Sequence, residues 1–145
     1  MTALPPGIYR IRIDNQQYLS RAEQVPVTLL PAHEGPDQEF MVRGTTEGNY
    51  AITKPSQSFP STYLCYDERS GKPEEGARVV MRVSDFPPCE WRIAQGAGPG
   101  TFTLAVAGSD LAIGIGPQKI YPPFLDLKSS SGEHLGWTFE HIRDE

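Results

Sequence analysis

Gln38-Glu39-Phe40-Met41-Val42-Arg43 decides the fold, because its shape returns twice further along the chain. Cys89-Glu90-Trp91-Arg92-Ile93-Ala94 and His134-Leu135-Gly136-Trp137-Thr138-Phe139 also carry an aromatic, a spacer and an apolar residue two places on. A period of two puts Phe40 with Val42, Trp91 with Ile93, and Trp137 with Phe139 on one face of a strand. Phe40 to Trp91 is 51 residues and Trp91 to Trp137 is 46, so each interval is about a third of the chain. A repeat of that length sets architecture before any local motif does.

Each of these strands is preceded by three others that match across the repeats. Tyr9-Arg10-Ile11, Tyr50-Ala51-Ile52 and Phe102-Thr103-Leu104 are aromatic, spacer, aliphatic. Tyr18-Leu19-Ser20, Tyr63-Leu64-Cys65 and Asp110-Leu111-Ala112 follow, then Val27-Thr28-Leu29, Val79-Val80-Met81 and Leu125-Asp126-Leu127. Gly and Pro punctuate the gaps, and no stretch keeps helical spacing over three turns. Twelve short strands in three sets of four predict an all-β chain, a β-trefoil. A four-strand unit cannot bury its own apolar face, so three must close on a shared core, and closure also removes exposed edges. One domain over 1–145 is expected, with repeats of roughly 7–44, 48–96 and 100–143. The competing architecture is a two-sheet sandwich.

Composition narrows the function. The 145 residues are 38% hydrophobic, ordinary for one domain with a real core. Thirteen basic against 18 acidic residues leave a net charge of −5, which argues against binding a phosphate backbone, so no nucleic-acid partner is expected. No apolar run is long enough to cross a bilayer, and Met1-Thr2-Ala3-Leu4-Pro5-Pro6 has neither a basic head nor an apolar stretch. The expectation is therefore a cytoplasmic protein with no membrane partner. Cys65 takes the place of Ser20 and Ala112, a small-residue slot that suits a buried structural thiol better than a nucleophile. A Cys65–Cys89 disulfide is open to the sequence, but a single pair without a secretory leader argues little for it.

An active site is hard to find. His33, His134 and His141 share no metal-ligand spacing with Cys or carboxylate, so no metal is expected. Gly96-Ala97-Gly98-Pro99-Gly100 and Gly114-Ile115-Gly116-Pro117 lack a Lys-Ser/Thr continuation and read as turns, not phosphate cradles. No catalytic residue and no cofactor are expected, and the chain reads as a non-enzyme. Attention moves to loops on a rigid scaffold. In 116–123, Lys119 and Ile120 stand between Pro117 and Pro122-Pro123, which would hold them near-extended as a substrate-like inhibitor requires. The same prolines equally read as strand terminators with Lys119 solvated. Lys128 and Ser129 open a second basic loop, 128–133, where Leu125 and Leu127 point inward and Lys128 outward. Arg69-Ser70-Gly71-Lys72 is a third, Gly-containing and exposed.

Leu4-Pro5-Pro6-Gly7-Ile8-Tyr9-Arg10-Ile11, Tyr18-Leu19-Ser20-Arg21 and Trp91-Arg92-Ile93 resemble the fungal β-trefoil protease inhibitors. The chain is most similar to the cospin type, directed at serine proteases, and more distantly to the mycocypins, directed at papain-like cysteine proteases. The resemblance implies a small, stable, cofactor-free monomer that defends the fungus or regulates its proteases. It implies a hydrolase inhibitor whose partner is a trypsin-like serine protease, with a cysteine protease as the alternative. It places the inhibitory residue either between the second and third strands, here Gln24 and Val25, or between the last two, here Lys128 and Ser129. A carbohydrate-binding trefoil is the rival from another class, and Gln38-Glu39-Phe40 approximates the Gln-x-Trp of such lectins. Against it, the repeats keep no Asp at a common place, and Trp91 and Trp137 sit at inward positions.

Overall fold

The structure, a computed structural model, describes residues 5–13, 17–21, 27–31, 38–45, 48–55, 61–67, 74–84, 89–95, 100–115, 125–129 and 136–144. These contain the twelve strands expected. The first repeat holds β1 (Gly7–Arg12), β2 (Tyr18–Ser20), β3 (Thr28–Leu30) and β4 (Phe40–Gly44). The second holds β5 (Tyr50–Thr53), β6 (Ser61–Tyr66), β7 (Val79–Ser84) and β8 (Trp91–Gln95). The third holds β9 (Phe102–Val106), β10 (Leu111–Ile115), β11 (Leu125–Ser129) and β12 (Thr138–Arg143).

Six strands form a closed ring. Neighbouring repeats join through β4–β5, β8–β9 and β12–β1, all antiparallel. Within each repeat the first strand pairs with the fourth, and the partners are the aromatics that mark the sequence repeat. Tyr9 lies opposite Phe40, Tyr50 opposite Trp91, and Phe102 opposite Trp137. The last pair exchanges two backbone hydrogen bonds of 2.8 Å, Phe102 N–H to Trp137 C=O and the reverse, and so completes the barrel. Each repeat's other two strands form a hairpin: β2–β3, β6–β7 and β10–β11. Across one boundary the Val27 N–H donates to the Val79 carbonyl at 3.0 Å; across the next, Gly76 N–H donates to Leu127 C=O and Leu127 N–H to Ala77 C=O.

The core repeats with the chain. Phe40, Trp91 and Trp137 are fully buried, as are Val27 just before β3 and Val79 and Leu125 at the start of β7 and β11. Ile11, Ile52 and Leu104, the aliphatics of the first strands, complete the same centre. Trp91 and Trp137 are core, as their inward positions imply. Truncating Phe40, Trp91 or Trp137 to Ala would cost about 3–5 kcal/mol.

Glycine stands two residues before each leading aromatic, at Gly7, Gly48 and Gly100. Gly48 (φ 79°) and Gly100 (φ 72°) turn the chain between repeats in the left-handed region. Gly7 is needed for room: a Cβ there would lie 2.9 Å from His141 Nε2 and 3.2 Å from the Arg143 carbonyl oxygen.

Strand limits shift slightly, and one burial departs from strict alternation. Asp110 is exposed in the turn before β10, which begins one residue later than expected. Asp126, which alternation assigns to the solvent side between Leu125 and Leu127, is buried at 4% exposure. Arg78 explains it: its Nε lies 3.0 Å from Asp126 Oδ1, and the two residues form a β-bridge between the hairpins of the second and third repeats. A carboxylate leaves water only with such a partner. Arg78→Met, which strands that charge, should cost roughly 3 kcal/mol in urea unfolding, and the double change Arg78→Met/Asp126→Leu should recover most of it. Equal losses in the single and double variants would show that the pair does not matter.

Candidate functional site

Of the residues singled out from the sequence, the structure describes Lys128 and the backbone of Ser129. Lys119, Ile120, Gln24 and Val25 lie outside the described residues, as does Arg69-Ser70-Gly71-Lys72. Lys128 is part of β11 rather than of a loop: it lies opposite Ala112 of β10, and Ser129 opposite Leu111. Its side chain is half-buried and runs over β10, where a Cβ on Gly114 would fall 2.7 Å from Lys128 Cδ. Glycine at 114 therefore gives the lysine stem a flat bed, and the apolar stem can lie down while the ammonium stays in water.

A polar cluster sits on the outer side of the barrel where β1, β2 and β12 meet. Glu140 of β12 is hydrogen-bonded by the Arg12 guanidinium, and the Tyr18 hydroxyl lies 3.2 Å from both carboxylate oxygens. Burial first, and then the charge and hydrogen bond of Glu140, raise the Tyr18 phenol above its ordinary value, while Arg12 and Arg10 oppose the shift. Nothing in the sequence pattern announced this cluster, because its members come from both ends of the chain. Nearby, His141 packs edge-on to Tyr9 at 5.2 Å and lies 3.2 Å from Asp144.

Aromatic surface bears directly on sugar recognition. Among the described residues the rings of Tyr9, Tyr18, Tyr50, Tyr63, Tyr66, Phe40, Trp91 and Trp137 are buried. Phe102 and Phe139 are half-buried and meet edge to face at 5.7 Å. The remaining rings, Phe59, Phe86, Tyr121 and Phe124, belong to segments outside the described residues. Among the described residues no group of three His, Cys, Asp or Glu could hold a metal ion, and no helix is long and apolar enough to cross a membrane.

No protein-family model matches the chain, and no curated protein matches it. Solved structures do. The Macrolepiota procera ricin B-like lectin, solved with lactose, superposes with a TM-score of 0.77 at 19% identity over 97% of this chain and 100% of that one. The Rhizoctonia solani agglutinin gives 0.74 at 14% identity, covering 98% and 99%. ThreeFoil, a designed threefold-symmetric protein, gives 0.73 at 16% identity, covering 94% and 99%. The fold is a β-trefoil. At these identities the likeness defines the scaffold, and two of these three neighbours are fungal sugar-binding proteins or agglutinins by name.

The raised Tyr18 phenol has a measurable consequence. The native state keeps a proton that the unfolded chain loses near pH 10.0, so this contribution to stability is whole below that pH and is lost as pH rises through the native value. Urea unfolding above pH 10 should show stability falling less steeply in Tyr18→Phe than in the parent. Tyr9, raised by burial as well, would keep part of the slope in both. Identical slopes would remove Glu140 and burial as the cause.

Proposed function

We propose that the chain is a carbohydrate-binding β-trefoil, a non-enzymatic lectin whose sugar contacts are made by loops carried on the barrel. The observation that carries this reading is the end-to-end match to a ricin B-like lectin solved with lactose and to a fungal agglutinin. This order is the reverse of the one expected from the sequence, where protease inhibition came first. A sugar site needs an aromatic face to stack on the ring and polar groups to hydrogen-bond its hydroxyls. The described rings are buried or engaged with one another, which leaves Phe59, Phe86, Tyr121 and Phe124, outside the described residues, as the candidates for a stacking face.

Inhibition of a trypsin-like serine protease is the second reading, and the proline-bracketed Lys119-Ile120 favours it. A lysine held extended would fill an acidic specificity pocket at low ordering cost. Lys128 is the weaker bearer, because its backbone is already paired with Ala112 and its stem lies on Gly114. Inhibition of a papain-like enzyme by wedged loops, without one decisive lysine, is the variant of this reading.

A glycan array read beside titrations of trypsin and papain separates them. Retention on galactose-containing or other glycans, competed by the free sugar, with neither protease inhibited, is the expected result. Trypsin inhibition lost in Lys119→Ala or Lys128→Ala, without glycan binding, would replace the lectin by the inhibitor.

A further inference from the structure

Cys65 and Cys89 occupy a position that the first repeat fills with a hydrogen-bonded pair. Ser20 ends the second strand there and Gln38 stands two residues before the closing aromatic; Gln38 Nε2 donates to Ser20 Oγ at 3.2 Å inside the core. Cys65 and Cys89 are their counterparts in the second repeat, one residue short of the end of β6 and two residues before Trp91. The Cys89 thiol donates to the carbonyl oxygen of Leu64, the residue next to Cys65, at 3.1 Å, and that oxygen also accepts the Trp91 indole N–H at 2.9 Å. Arg82 of β7 approaches the Cys65 sulfur at 3.8 Å. Two buried thiols therefore stand close together in the core beside a guanidinium, and neither is in a disulfide. Neither proposed function uses them.

We propose that Cys65 and Cys89 form a peroxide-responsive redox site that closes to an intramolecular disulfide within the folded chain. The neighbouring Cys89 thiol, with smaller help from the Tyr66 backbone and Arg82 and against the cost of burial, lowers the Cys65 thiol to about 7. That shift favours the thiolate, the nucleophilic form. The thiolate attacks one peroxide oxygen, the O–O bond breaks, and the departing hydroxide takes a proton to leave as water; Cys65 becomes a sulfenic acid. Cys89 sulfur then attacks that sulfur, the S–O bond breaks, and the hydroxyl leaves as a second water with the Cys89 proton. Two thiols lose two electrons and hydrogen peroxide gains them. The bond would tie the β6–β7 hairpin to the start of β8 and close a loop of the unfolded chain. Glutathione or another thiol reverses it by exchange.

The test treats the native protein with hydrogen peroxide while circular dichroism follows the fold, then maps peptides without reduction. The expected result is a peptide linking Cys65 to Cys89, a chain lighter by two hydrogens at those residues, a higher thermal midpoint, and reversal of all three by dithiothreitol. A Cys89→Ser variant should leave Cys65 as a sulfenic acid that dimedone labels, with no such label in Cys65→Ser. The wild-type map decides alone if either variant fails to fold. Unlinked cysteines after treatment, oxygen added to them without a bond, or disulfides between chains would overturn the proposal.

Discussion

Everything in this structure depends on three equivalent backbone pairings, Tyr9 with Phe40, Tyr50 with Trp91 and Phe102 with Trp137. Each joins the first strand of a repeat to its fourth, and each brings one large aromatic to the centre of the barrel. A sheet that closes has no free edge, so its strands find their backbone partners without a neighbouring chain. The closing aromatics occupy the centre while β4–β5, β8–β9 and β12–β1 bind each repeat to the next. No repeat can bury its aromatic alone, which is why the sequence must say the same thing three times.

The sequence disclosed this scaffold because the constraint is periodic. An aromatic every third of the chain, with matching strands ahead of it, is visible wherever the core demands one shape three times. The asymmetric features were hidden for the converse reason. Asp126 stands between two inward leucines, where alternation would turn it to solvent, and Arg78 from the preceding hairpin, 48 residues earlier, explains its burial. Glu140, Arg12 and Tyr18 meet only after the ends of the chain come together. The small slot at Cys65 was legible from Ser20 and Ala112; the approach of Cys89 to it matches the Gln38–Ser20 pair, which alignment alone does not show.

The candidate site was legible only in part. Sequence spacing pointed to basic loops, and Lys128 turned out to belong to a paired strand, because β11 keeps its register with β10 as far as Ser129. Lys119, Ile120, Gln24 and Val25 lie outside the described residues, so their claim rests on proline placement and on resemblance. A shared trefoil scaffold serves unlike partners because the core fixes the barrel and leaves the loops free to vary. The lectin and inhibitor readings therefore differ in loop chemistry and agree on everything beneath it.

The central claim is that the last aromatic pair closes the barrel. Native-state hydrogen exchange of the Phe102 and Trp137 amides tests it most directly, since both are bonded across that seam. The account predicts that these two exchange only through global unfolding, with the same opening free energy as the slowest core amides of β4 and β9. Exchange of both through a low-energy local opening, while β4 and β9 stay protected, would contradict it and leave an open sheet in place of a ring.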